Sequence, residues 1–368
     1  MKEKLCVGVV GSGIISEIYL KNMTTRFSKI WVKAVASKHR EHAQARAEQF
    51  GIGCCSVEEL MKDSEIDLIV NLTPVGAHYG IIKAALEAGK HVYTEKTLTD
   101  DLTQAAELVE LAREKKLYLG SAPDTFLGAG IQTAKSVLDA GTIGKVTGFA
   151  VTVNRDWELL MNVFPFLREK GPGMCYDYTV YHLTAMVSLL GPVSTVAAFT
   201  TYPEPYKYIM PDSPQYGQEL ICPNETRVSA SLSLRNGVTG TLMMDGDSVM
   251  KEQAFLRIYG TKGILEFGDP NTFDAAVRVL TLPGDPRQQA EYSVVEPVNP
   301  YHDNCRGIGV ADMAQAILTG GRSRVDAELA YHVMEVLRRI LESGTSHQYM
   351  EVKSGCTIPE PLISEVFP

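Results

Sequence analysis

Three groups of residues in this chain have the types and spacing to do chemistry. The first is Gly11 with Gly13, inside Val7 to Ser16 (VGVVGSGIIS), where an apolar run ends in glycines and a helical pattern begins. Gly11 permits a tight turn and Gly13 lets a phosphate approach the backbone. The helix start then offers unpaired N–H groups and a positive dipole end to a pyrophosphate. Ser16 stands where a third glycine is usual, so the helix is expected to pack slightly further from the strand. The second group is Ser37-Lys38-His39-Arg40, at the end of the second apolar run. A carboxylate for the ribose 2′-hydroxyl is usual there. A hydroxyl and two cations suit a 2′-phosphate instead, which favours NADP over NAD. The same loop also reads as a solvated helix start, with Glu41 partly offsetting its charge. The third group is Asp177, Tyr181 and His182. On an α-helix, residues four apart lie about 40° apart around the axis and residues five apart about 140°. Asp177 and Tyr181 can therefore address one substrate while His182 turns toward Tyr178. Histidine is the commoner general base because its pKa lies near 7. A tyrosine, near pKa 10, needs a cation close by. Structural alternatives are a helix cap for Asp177 and a packed helix histidine for His182.

The elements that position these groups alternate over the first 120 residues. Apolar runs at 5–10, 30–36, 66–72, 91–94 and 118–121 are separated by helical patterns at 14–27, 42–50, 80–88 and 102–115. Apolar runs without polar alternation, between amphipathic helices, predict a parallel sheet covered on both faces, in a doubly wound α/β domain. Beyond residue 124 the rhythm changes. A helix over 126–140 precedes strands at 146–155, 195–202, 226–235, 238–245, 255–259 and 263–267. Asn236-Gly237 between two of them is a strong hairpin signal. The proline-rich stretch 269–300 reads as an irregular connection, and helices over 309–318 and 327–343 close the chain. The expected division is 1–124, a dinucleotide-binding Rossmann domain, and 125–368, an α+β domain with a large, mainly antiparallel sheet for substrate binding and oligomerisation. Val228, Leu232, Leu234, Leu242 and Met244 are expected on an outer face of that sheet, building a homodimer or homotetramer.

Hydrophobic residues make up 45% of the 368 and charged residues 21%, which excludes a disordered chain. With 35 basic against 44 acidic residues, the net charge of -9 argues against a nucleic-acid partner. The seven cysteines include no CxxC pair, so neither a metal site nor a disulfide framework is indicated. The N-terminus lacks the pattern of a signal peptide. The uncharged run from Tyr178 to Pro203 is split by Gly191-Pro192 and predicts a buried helix followed by a strand, not a membrane span. A soluble, cytoplasmic protein is expected.

Residues 71–99, NLTPVGAHYGIIKAALEAGKHVYTEKTLT, closely resemble the signature of the glucose–fructose oxidoreductase, inositol dehydrogenase and rhizopine catabolism (Gfo/Idh/MocA) family. Residues 11–16, 121–144, 173–191 and 306–317 resemble its nucleotide turn, domain crossover, active-site helix and late helix. The resemblance implies a Rossmann domain joined to an α/β domain, and an NAD(P)-dependent oxidoreductase acting on a carbinol or carbonyl carbon of a sugar, polyol or related substrate. It also implies that Ile14, Ile15, Leu72, Thr73, Pro74, His78, Glu95 and Lys96 border the cofactor. In Glu95-Lys96-Thr97, Thr97 replaces the family's proline, and Lys96 is expected to contact substrate oxygen and cofactor and to lower the pKa of the acid/base group. The family places an Asp and, four residues on, a His or Tyr on one helix, matching Asp177 and Tyr181. Arg155 and Trp157 are candidate substrate contacts, the tryptophan as a platform for a sugar ring or else as a packing residue. The Asp303–Arg306 stretch either borders the site or caps a helix, and Cys175 reads as a small core residue. Two other activities stay open: a lyase or glycosidase that retains NAD, and a non-catalytic nucleotide sensor.

Overall fold

The computed structural model describes residues 2–171, 173–248, 255–285, 287–362 and 367; Met1, Pro172 and Pro286 of the stretches discussed above lie outside them. The chain divides into two compact units, Met1–Ala129 with Asn299–Tyr331 and Pro359–Pro368, and Gly130–Val298 with His332–Ile358.

The first unit holds β1 (Leu5–Val10), α1 (Ile14–Thr25), β2 (Ile30–Ala36), α2 (Arg40–Phe50), β3 (Gly53–Cys54), α3 (Val57–Lys62), β4 (Leu68–Asn71), α4 (His78–Glu87), β5 (His91–Thr94), α5 (Leu102–Lys115) and β6 (Leu119–Ser121). The described strands form one parallel sheet in the order β3-β2-β1-β4-β5-β6. β1 and β4 are buried along their whole length, as unalternating apolar runs require. Strand order reverses between β1 and β4, so a crevice opens beyond their carboxyl ends, the place where such sheets bind ligands. β3 and α3 were not anticipated. β3 is too short to show a period, and α3 rests on a capping box between Ser56 and Glu59. The helix expected over 126–140 is a 3₁₀ turn, Thr125–Leu127, and then α6 (Ala129–Asp139), separated by Gly128 in extended backbone.

The second unit holds β7 (Val146–Asn154), α7 (Trp157–Val163), a π-helical turn Cys175–Thr179 running into α8 (Val180–Leu190), and β8 (Val193–Thr201). There follow β9 (Tyr206–Lys207), β10 (Glu219–Leu220), β11 (Arg227–Leu234), β12 (Thr239–Asp245), β13 (Phe255–Gly260), β14 (Gly263–Phe267), β15 (Val277–Thr281) and β16 (Tyr292–Val294). After α9 (Ile308–Thr319) of the first unit come α10 (Ala327–Ser346) and β17 (Met350–Glu351). The large sheet has the described order β16-β15-β14-β13-β7-β12-β11-β8-β17. β7 and β12 pair in parallel, and its other described pairs are antiparallel. β15 and β16 fall inside the stretch expected to be irregular; its prolines lie outside both strands.

One expectation about this sheet is overturned. Val228, Leu232, Leu234, Leu242 and Met244 are all buried, on the covered face rather than an outer one. Met244 Sδ accepts from the hydroxyl of Thr179, in the turn that opens α8, at 2.8 Å. On the same face α10 is tied down, His332 Nε2 accepting from Val193 N and Ser343 Oγ from Ala198 N. The alternate positions, Ala197, Phe199, Ser229, Ser231, Thr241 and Met243, are the exposed ones. Successive strand residues point to opposite faces, and the apolar set lines the covered one.

Candidate active site

At the end of β1, Gly11 has φ +112°, and a Cβ there would lie 2.6 Å from both the carbonyl carbon and oxygen of Leu72. Only glycine lets the first turn close against the end of β4. Gly13 begins α1 with nothing within 4 Å of a Cβ position. Ile14 beside it is 87% exposed, an apolar side chain left uncovered at the helix start. Ser16 is buried and its hydroxyl donates to Gly13 O at 2.6 Å, holding the turn where a glycine was expected. Ile15 is half-buried. After β2, Ser37 Oγ accepts from His39 N, and Lys38 and Arg40 are exposed. An open glycine turn, free helix N–H groups and two uncovered cations fit a nicotinamide dinucleotide. Gly11, Gly13, Ile14 and Ile15 would hold its phosphates, and Ser37, Lys38 and Arg40 its adenosine end.

The stretch around Lys96 is held from several sides. Glu95 N donates to Asn71 O at 2.8 Å and Ala122 N to Thr94 O at 2.9 Å, which fixes the backbone between β4 and β6. Glu95 commits both carboxylate oxygens, one to the Tyr19 hydroxyl at 2.8 Å and one to Lys96 N at 3.0 Å. The Lys96–Thr97 peptide is cis. Thr73 is placed by Asn71 Oδ1, which accepts from both its N–H and its hydroxyl; Pro74 beyond it is exposed. His78 and Leu72, expected to border the cofactor, are buried. Leu72 therefore meets the glycine turn through its backbone, and the His78 ring lies against the carbonyls of Thr73 and Thr97, with the Thr94 hydroxyl 3.4 Å from its Nδ1.

In the second unit the helix entered through the π turn carries Asp177, Tyr181 and His182. The ideal 100° per residue behind the sequence argument does not hold across that turn, whose hydrogen bonds run from i to i+5. Burial separates the two candidate bases instead. Tyr181 and Asp177 are half-buried, whereas His182 is 0% exposed and neither ring nitrogen has a hydrogen-bond partner among the described residues. Burial pulls the His182 imidazole down to about 4. Its ring packs 5.5 Å from that of Tyr178, and the Tyr178 ring lies 6.1 Å from that of Tyr181.

Arg155 stacks its guanidinium 4.1 Å from the centre of the Tyr178 ring, and both Arg155 and the Tyr178 hydroxyl bond Asp269. Trp157 is a correction. It is 0% exposed at the first position of α7, where its backbone N–H donates to Gly246 O, and its buried ring has no open face for a sugar. Cys175 is buried and its thiol pushed well up, as a core residue should be. Asp303 pairs with Arg26, and the carbonyls of Asn304 and Arg306 accept from Asn22 Nδ2, so this stretch is tied to α1.

Two polar residues escaped the sequence reading. Asp124, fully buried, accepts from Gly307 N and Gly309 N at 2.9 and 3.0 Å and so caps α9; burial raises its carboxyl to about 6. Asp269 meets Arg155 across 114 residues of sequence, a separation at which no local pattern signals a contact.

Among known proteins, the chain is 26% identical over 354 residues to a D-xylose 1-dehydrogenase (NADP(+)) of Haloferax volcanii, covering 94% of this chain and 98% of that one. A dTDP-3,4-didehydro-2,6-dideoxy-α-D-glucose 3-reductase of Streptomyces violaceoruber is 34% identical over 40% of this chain and 44% of its own. The chain spans about half the length of other curated relatives, 38% to 56% for uncharacterised oxidoreductases of Schizosaccharomyces pombe and Escherichia coli. In fold it is similar to levoglucosan dehydrogenase in complex with NADH and L-sorbose, with a TM-score of 0.83 and 20% identity over 96% of this chain and all of that one. Residues 5–122 match the oxidoreductase family with an NAD-binding Rossmann fold, and residues 131–266 match the GFO/IDH/MocA C-terminal domain. With both matches together spanning most of its length, the chain belongs to the GFO/IDH/MocA oxidoreductase family.

Proposed function

We propose that the protein is an NADP(H)-preferring dehydrogenase or reductase that interconverts a secondary alcohol and a carbonyl on a sugar, polyol or related substrate. The bound nicotinamide cofactor supplies the hydride acceptor or donor. Tyr181 takes the proton of the substrate hydroxyl during oxidation and returns it during reduction. Lys96 stabilises the charge developing on that oxygen and favours the ionised tyrosine, and Asp177 orients the substrate. The domain that begins near residue 125 supplies the substrate contacts and, through the open face of its sheet, the contact with a second copy of the chain.

The observation that carries this reading is the contrast along one helix. Asp177 and Tyr181 are accessible, while His182 is sealed in with its imidazole held neutral by burial. A general base must reach the proton it removes. The exposed Lys38 and Arg40, with no carboxylate beside Ser37, support NADP(H) over NAD(H).

The test is a screen of sugars, inositols and dihydrodiols with NADP⁺ and NAD⁺, following reduced cofactor by absorbance. Net reduction with at least one substrate, faster with NADP⁺, is expected. Turnover of a glycoside without net reduction would replace this reading by an NAD-retaining lyase or glycosidase.

A further inference from the structure

The helix that carries Asp177 and Tyr181 starts at Gly173, which has no side chain to cap it. The first N–H groups of a helix have no partner within it and need an acceptor from outside. Here the acceptor comes from the loop before β11: Cys175 N donates to Glu225 Oε1 at 3.3 Å. Glu225 is buried, and its neighbour Asn224 holds the segment leading into the helix. Asn224 Oδ1 accepts from Gly171 N at 2.9 Å, and Asn224 Nδ2 donates to Glu169 O at 2.8 Å. The fit leaves no slack. A Cβ on Gly173 would lie 2.7 and 3.1 Å from the two Glu225 carboxylate oxygens and 2.9 Å from Asn224 Cβ. The missing side chain at the helix start and the carboxylate that fills its place are two halves of one arrangement.

We propose that Glu225 is a positioning residue for the reaction: it caps the helix of Asp177 and Tyr181 from the loop before β11 and fixes the π turn that sets where those two residues meet the substrate. The proposal rests on the catalytic reading of those two residues given above. The carboxylate also faces the positive end of the helix dipole. Burial raises it to about 6, so at neutral pH the ionised, accepting form predominates. A one-ångström displacement of reacting groups can cost a hundredfold in rate, and the cap acts on the turn that contains Asp177.

Two substitutions at Glu225 and one at Gly173 test this. Glu225→Ala removes the acceptor, and kcat should fall by about tenfold to a hundredfold while substrate KM and cofactor affinity stay near wild type. Glu225→Gln keeps an amide oxygen for Cys175 N and should recover most of kcat. Gly173→Ala should lower kcat in the wild type but add little in the Glu225→Ala background, where its Cβ has room. Hydrogen exchange of the amides at 174–179 should rise in Glu225→Ala and not in Glu225→Gln, a readout that needs no turnover. Unchanged exchange in Glu225→Ala, or additive losses in the double variant, overturns the cap. Raised exchange with unchanged kcat, in a protein whose Tyr181→Phe variant is also fully active, leaves the cap standing and sinks the catalytic reading of the helix.

Discussion

The imidazole of His78 lies between two backbone carbonyls, its Nδ1 2.7 Å from Thr97 O and its Nε2 2.8 Å from Thr73 O. Thr73 follows the strand end that closes on the glycine turn, and Thr97 follows Lys96. A single buried ring thus ties the nucleotide side of the crevice to the loop of the lysine. A neutral imidazole donates to one of the carbonyls, and burial holds this ring below the ordinary imidazole range. His78→Leu removes that one donor, at about 1–3 kcal/mol for the carbonyl left unpaired. Urea unfolding should show that loss, and cofactor affinity should weaken with it. An unchanged urea midpoint would mean that the bridge contributes nothing.

Cofactor preference should follow the loop after β2. Ser37→Asp combined with Lys38→Ala places a carboxylate where a 2′-phosphate would sit and removes one of its cations. The double variant should reverse the preference from NADPH to NADH in a fluorescence titration. Tighter binding of NADH than NADPH by the wild type would refute the reading of Ser37, Lys38 and Arg40.

The choice between Tyr181 and His182 is a comparison of variants. Lys96→Met and Tyr181→Phe should each lower turnover about 10²-fold or more while preserving cofactor binding. Tyr181→Phe should also abolish the alkaline limb of the pH–rate profile. His182→Asn should leave that profile in place, because the ring is sealed away from any substrate. Loss of chemistry in His182→Asn with an active Tyr181→Phe would make the histidine the base.

The parallel sheet was legible because strands buried on both faces read as unbroken apolar runs, and β1 and β4 are of that kind. Helix α5 appears over the range that its pattern predicts, opened by Asp101 capping Gln104 N. The glycine turn was legible because Gly11 answers to one local steric demand. What sequence could not supply is orientation and distance. Leu232 and Met243 are both apolar strand residues, yet they point to opposite faces, and composition gives no sign of which face is covered. Trp157 has the chemistry of a sugar platform and a core position. His78 lies inside the signature stretch but works through two carbonyls, a role visible only once Thr73 and Thr97 are brought together in space.

Buried His182 makes a pH prediction with a definite sign. The unfolded chain protonates it near the ordinary 6.5, the folded chain only near about 4. The unfolded state therefore binds the extra proton in that window, and stability rises with pH through it. The contribution is complete above pH 6.5 and lost as pH falls toward 4, at most about 3 kcal/mol from this one group. His182→Leu also removes two unpartnered ring nitrogens. Unfolding free energies of wild type and variant, measured from pH 7 to 4.5, should diverge, with the wild type losing more. Parallel curves would show that His182 titrates alike in both states.

Assembly should use the open face of the large sheet, which carries a row of small and apolar side chains. Ser229 sits opposite Phe199 on one side and Met243 on the other, and Ser231 sits opposite Ala197 and Thr241. Phe199 is 70% exposed and Met243 47%, while the residues between them are short enough to let a second sheet approach. A patch of small and apolar side chains of this kind, paired with itself about a two-fold axis, makes an isologous interface. Light scattering at micromolar concentration should therefore give a dimer or tetramer. Phe199→Glu with Met243→Glu should shift it toward monomer without loss of the fold, because both side chains point away from the core. Leu232→Glu, on the opposite face of β11, should instead unfold the protein by burying a charge in the core. A wild type that scatters as a monomer would end the proposal, and so would a double variant that keeps the wild-type mass.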